Sequence, residues 1–140
     1  MTGTFHWIRI RLFCYSTEKT ERLEEVLEEL TGTSEFSREI TEGHHGNPIK
    51  ILDCELTKEP EAKRLFTKLS PVLDDIREGL EEKVDHDCVF YMRLDKQKAV
   101  LNEYAIAHHG DVISITGKLV SHPARKDIAV ANLTSFLNSI

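Results

Sequence analysis

Residues 6–15 alternate without interruption: His6, Ile8, Ile10, Leu12 and Cys14 fall on one side of an extended chain, and Trp7, Arg9, Arg11, Phe13 and Tyr15 on the other. A period of two sustained this long specifies a β-strand, and the aliphatic run at Ile8, Ile10 and Leu12 requires a hydrophobic layer packed against it. Any fold containing this strand must therefore cover one of its faces. The second face interleaves aromatic rings with guanidinium groups, so its exposure decides what the strand can do.

The remaining periodicities supply the covering elements. Ser16 or Thr17 can cap a helix to about residue 31, with Leu23, Val26, Leu27 and Leu30 as its apolar stripe and Gly32 as its stop. A second strand is expected around Phe36–Thr41, then a turn through Gly43-His44-His45-Gly46-Asn47-Pro48. A third strand follows over Ile49–Leu56, with Lys50, Leu52, Cys54 and Leu56 on one face and Ile51, Asp53 and Glu55 on the other. Pro60 suits a first helical turn, and Ser70-Pro71 restarts or kinks the helix before Leu73, Ile76 and Leu80. Cys88, Phe90, Met92 and Leu94 alternate with Val89, Tyr91, Arg93 and Asp95, and two further strands are expected at about 99–107 and 112–121. Pro123 opens a last helix whose apolar side carries Ile128, Ala131, Leu133, Phe136, Leu137 and Ile140.

The predicted order is β-α-β-β-α-α-β-β-β-α. Strands in runs broken by helices specify an α+β fold, a mixed and largely antiparallel sheet with helices packed on one face. No repeat or Ser/Gly linker divides the 140 residues, so residues 1–140 read as a single α+β domain. Its centre should hold Ile8, Ile10, Leu12, Phe90, Met92, Ile113 and Ile115. No apolar run exceeds about five residues against the roughly 18 of a spanning helix, and the amino terminus lacks a basic-then-apolar leader pattern. The expectation is a soluble, cytoplasmic chain without membrane partners. Cys14, Cys54 and Cys88 are three cysteines at wide spacing, which fits a reducing compartment.

Three residue sets could carry function. The first is Trp7, Arg9 and Arg11 with the neighbouring Phe13 and Tyr15, groups that stack on unpaired bases and neutralise phosphates. The alternative is that helices cover this face too, or that Arg9 and Arg11 pair with Asp53 and Glu55 on a neighbouring strand. The second set is Arg93, Lys96, Lys98, Lys118, Arg125 and Lys126, expected to converge on one surface as phosphate contacts. The net charge of −6 does not oppose this. Residues 18–30 carry net −4 and residues 74–87 net −5, which leaves the rest of the chain at net +3. The alternative is scattered solubilising charge. The third set is His44-His45, Asp85-His86-Asp87-Cys88 and His108-His109 with Asp111. Adjacent ligand types on a strand point apart, so no metal is expected. GxGxxG, HExxH and GxSxG patterns are absent, and Gly117-Lys118 lacks the upstream glycine of a phosphate loop. The chain therefore reads as no enzyme and as requiring no cofactor.

Gly46-Asn47-Pro48-Ile49, then Phe90-Tyr91-Met92-Arg93-Leu94-Asp95-Lys96-Gln97, then Asp111-Val112-Ile113 and His122-Pro123-Ala124-Arg125 resemble an archaeal family of small RNA-binding proteins, also described as a predicted exosome subunit. The similarity runs over most of the chain, and Arg93-x-Asp95-Lys96-Gln97 is its most specific part. The resemblance implies an α+β fold like that of the ribosomal protein that holds the small ribosomal RNA of the large subunit. It also implies RNA as partner, a link to RNA-processing proteins, and Arg93, Lys96, Gln97 and Arg125 as contact or structural positions. An internal Arg93–Asp95 ion pair is the structural alternative. The leading expectation is a non-catalytic RNA-binding module working mainly through phosphates. The second is a protein-interaction or structural subunit that uses its acidic helices.

Overall fold

The computed structural model describes residues 3–43 and 46–140. Five strands form one sheet, β1 (Phe5–Cys14), β2 (Ser37–Glu42), β3 (Pro48–Leu56), β4 (Val89–Asp95) and β5 (Val112–Leu119), in the spatial order β2-β3-β1-β5-β4. Every neighbouring pair is antiparallel. Helices α1 (Thr20–Thr31), α2 (Glu59–Lys68), α3 (Leu73–Arg77), α4 (Lys96–Val100) and α5 (Lys126–Asn138) complete the fold, with short 3₁₀ turns at Ser70–Val72 and Leu80–Lys83. The α+β class and the antiparallel sheet are as the periodicities specify.

The register places Ile8, Ile10, Leu12 and Cys14 of β1 in one layer with Leu52, Cys54 and Leu56 of β3, Ile113 and Ile115 of β5, and Phe90, Met92 and Leu94 of β4. All seven expected central residues are buried, none more than 5% exposed. The apolar stripes of α1 (Leu23, Val26, Leu27, Leu30), α2 (Ala62, Leu65, Phe66) and α5 (Ala129, Leu133, Phe136, Leu137) join them in one hydrophobic cluster. Phe5, Phe66, Phe90 and Phe136 interlock within it, with the Phe66 and Phe136 rings edge to face at 5.4 Å. Gly117 sits beneath Phe5, where a β-carbon would lie only 2.7 Å from the ring, so close packing excludes a side chain there.

Three local expectations change, one of them at the last helix, which begins at Lys126 after Arg125 and not at Pro123. The first helix starts after Lys19, not at Ser16 or Thr17, although Gly32 does end it in the left-handed conformation at φ 78°. The strand expected at 99–107 does not form. Asp95 accepts a hydrogen bond from the Lys98 backbone N–H at 2.9 Å and turns the chain into α4. The chain then returns to the edge of β4 through a single bridge, Leu94 to Ile106, with Asp95 N–H donating to Ala105 O and Ala107 N–H to Arg93 O. The observed order is β-α-β-β-α-α-β-α-β-α.

Candidate nucleic-acid interface

The sheet is covered on one side, and its other side is half open to solvent. Along β1, Arg9, Arg11 and Phe13 are exposed and Trp7 is partly so. Tyr91 and Arg93 of β4 are exposed, while Ser114, Thr116 and Lys118 of β5 lie partly exposed between the two strands. The pairing converts these residues into rows: Asp53, Arg11, Ser114 and Arg93 lie side by side, then Glu55, Arg9, Thr116 and Tyr91, then Trp7, Lys118 and Val89. Phe13 is 42% exposed and Tyr91 49%, uncommon for rings on a sheet and favourable for stacking a flat partner. Tyr91 is held protonated above the ordinary phenol range, first by partial loss of solvation and then by the adjacent Asp85 carboxylate.

Both readings of Arg9 and Arg11 hold in part, since the face is uncovered and yet the two guanidiniums have partners. Arg11 Nε and Nη2 each lie 2.8 Å from Asp53 Oδ2. Arg9 is held more loosely, at 3.7 Å from Asp53 and 3.8 Å from Glu55, and its guanidinium rests over the Trp7 ring at 5.5 Å.

The Arg93–Gln97 segment builds a turn. Lys96 is completely buried, with Nζ 2.7 Å from Glu18, 3.1 Å from Asp111 and donating to Phe13 O at 2.6 Å, above the Tyr15 ring. Gln97 Nε2 donates to the same two carboxylates, Glu18 at 3.2 Å and Asp111 at 2.9 Å. A buried ammonium is tolerated only with such compensation. The expectation of Lys96 as a surface phosphate contact is therefore corrected, and Gln97 is engaged in the same node. Asp95 caps α4, and among the described residues it forms no ion pair with Arg93, whose Nη1 instead donates to His108 O at 3.3 Å.

Partial burial opposes ionisation of Glu18, but hydrogen bonds from Lys96 and the Tyr15 N–H, the Lys96 charge and Gln97 outweigh it and hold the carboxyl below its ordinary 4.5. A depressed carboxylate stabilises the fold above its unfolded pKa and stops doing so as pH falls through the folded value. Replacing Glu18 by Gln should thus lower stability to urea at pH 7, with the gap narrowing steadily below pH 4.5. A gap independent of pH would contradict the node.

The six cations do not converge. Arg93 and Lys118 share the open face, and Lys118 donates to Asp87 O. Lys98 lies beyond the Asp95 end of β4, whereas Lys118, Arg125 and Lys126 follow the opposite end, about 20 Å away at strand spacing. Arg125 pairs with Asp127 at 2.8 Å, and Lys126 lies with His86 and Glu81 around a shallow hollow. Tyr91 belongs to the open face but to none of the three residue sets that the sequence offers. Its alternation with Arg93 is the signal that places it there.

A family model described as RNA binding matches residues 7–119. The chain belongs to that RNA-binding family. It is 35% identical to the RNA-binding protein PAB1135 of Pyrococcus abyssi over 94% of this chain and 93% of the relative. Among solved structures, Mth689 of Methanothermobacter thermautotrophicus, a DUF54 protein, superposes with a TM-score of 0.84 at 32% identity, covering 96% of this chain and 99% of that one. These relatives are archaeal, as the motif resemblance implies.

In this member of the RNA-binding family, no group of three His, Cys, Asp or Glu side chains able to hold a metal occurs among the described residues. His44 and His45 lie outside the described residues. Cys14, Cys54 and Cys88 are buried free thiols, and burial pushes the Cys54 thiol up from 9.0. Among the described residues no helix is long and apolar enough to cross a membrane.

Proposed function

We propose that the open sheet face binds single-stranded RNA, with Arg9, Arg11, Arg93 and Lys118 meeting phosphates and Trp7, Phe13 and Tyr91 receiving unpaired bases. The observation that carries this reading is the side of the sheet not covered by α1, α2 or α5, on which exposed rings interleave with cations along β1 and β4, with Asp75, Glu78 and Glu82 bordering a hollow beside Tyr91 and Arg93. Sequence-tolerant recognition of single strands uses this combination, since every base offers a stacking face and every nucleotide a charge. Membership of an RNA-binding family supports the choice of ligand. Lys98 at one end, and Arg125 and Lys126 at the other, would extend the path of a longer strand. The role within this proposal is recognition without chemistry. A place in RNA processing or degradation is the part of the proposal that follows from the family resemblance.

Trp7 is the chain's one tryptophan, so its emission reports on this face directly. Titration with short single-stranded RNA at low salt should quench it saturably, and added salt should reverse the quenching. Binding that leaves Trp7 emission unchanged would place the RNA elsewhere.

A further inference from the structure

Two of the four cations on the open face are already neutralised within the protein. Asp53 and Glu55 stand directly opposite Arg11 and Arg9 on β3, and Asp53 contacts both guanidiniums. The Arg9 and Arg11 side chains are 47% exposed, so a ligand can reach them, whereas Asp53 is 16% exposed and fixed between them. Arg93 and Lys118, by contrast, have no carboxylate within ion-pair distance among the described residues. The centre of the face therefore has aromatic surface, guanidinium planes and almost no net charge.

We infer that Asp53 and Glu55 are specificity-determining residues that make the face select for single-stranded RNA over other polyanions. This inference rests on the open-face reading. A bare polyanion gains only charge neutralisation, and at Arg9 and Arg11 it must compete with carboxylates already in place. A single strand with unpaired bases gains stacking on Trp7, Phe13 and Tyr91 as well, which the carboxylates do not oppose. A duplex keeps its bases stacked internally and behaves like the bare polyanion. The acidic pair thus lowers affinity for all phosphates but most for the denser charge of a duplex or polyphosphate, where each contact contributes roughly −0.9 to the salt slope against roughly −0.7 for a single strand, so the preference shifts toward the strand that also stacks its bases.

The salt dependence follows from the count of unpaired cations. With Arg93 and Lys118 as the effective phosphate contacts, log affinity for single-stranded RNA should fall against log salt with a slope of about −1.4, each contact contributing roughly −0.7. Freeing Arg9 and Arg11 doubles the number of contacts and steepens the slope to about −2.8.

The test compares wild type with the Asp53→Asn/Glu55→Gln double variant and with Glu55→Gln alone, which alters only an exposed side chain and keeps the test open if the double variant fails to fold. Probes are a short single-stranded RNA, the same sequence as a duplex, and inorganic polyphosphate. The expected result is a steeper salt slope in the double variant, with affinity for duplex and polyphosphate rising by several-fold to about tenfold and affinity for the single strand rising less. Glu55→Gln should shift each quantity part of the way. If wild type binds RNA and quenches Trp7 but the variants keep its slope and its preference, the inference fails and the open-face reading stands. If wild type binds no single-stranded RNA, the open-face reading fails and the inference with it.

Discussion

Lys96→Glu should unfold much of the protein's margin of stability, while Lys98→Glu, two residues along the same short helix, should leave it nearly unchanged. Lys96 is the only positive charge within ion-pair distance of both Glu18 and Asp111 among the described residues, and it has no exposure to solvent. Removing one partner of a buried pair costs about 3–5 kcal/mol because the remaining charges stay desolvated, and a third carboxylate adds repulsion to that loss. For a chain of this length each kcal/mol moves the melting temperature by roughly 3–4 °C, so Lys96→Glu should melt about 10 °C or more below wild type. Lys98 is exposed and forms no ion pair among the described residues, so its replacement should fall within about 0.5 kcal/mol. Thermal and urea unfolding of the two variants side by side checks this. A Lys96→Glu protein that melts with wild type would remove the node as a structural element.

The second large effect is on binding. Replacing Trp7, Phe13 and Tyr91 together by Ala should lower affinity for single-stranded RNA by roughly a hundredfold or more, since stacking of a base on an aromatic ring contributes about 1–3 kcal/mol each. All three lie on the open side of the sheet, so the hydrophobic cluster beneath is untouched. Their loss should cost only the modest strand preference of aromatic residues, about 1 kcal/mol per position at most. Leu101→Ala is the matched control, because Leu101 is 69% exposed but lies beyond α4, away from the face. Fluorescence anisotropy with labelled RNA distinguishes the two. Equal losses in the triple variant and the control, or no loss in either, would show that the three rings of the face have no specific part in binding RNA.

How far the site could be read from residue order depends on whether its determinants are local. The faces of β1 were legible because alternation is a property of neighbours, and burial of Ile8, Ile10 and Leu12 follows from it. Whether the opposite face stays open is not local. It depends on α1, α2 and α5 all crossing on one side, which no stretch of sequence states. Lys96 shows the opposite limit: a lysine between Asp95 and Gln97 in a polar turn reads as a surface cation, and its burial is set by Glu18, 78 residues earlier in the chain. The Asp95 cap replaced the expected strand at 99–107 for a related reason, because one side-chain acceptor aimed at the Lys98 N–H outweighs the weak strand preference of Val100, Tyr104 and Ile106. The cations behaved similarly. Arg93 and Lys118 share one face because β4 and β5 pair, though two rows apart, and Lys98 and Arg125 are separated because they follow opposite strand ends.

The most direct measurement is photochemical crosslinking of the intact protein to single-stranded RNA, followed by mass-spectrometric mapping of the modified peptides. Crosslinks should concentrate on Trp7 and Phe13 of β1 and on Tyr91 of β4, and should vanish in high salt along with binding. Crosslinks confined to the helical side, or to the Arg125–Lys126 start of α5 with β1 and β4 unmodified, would contradict the open sheet face as the RNA-binding surface.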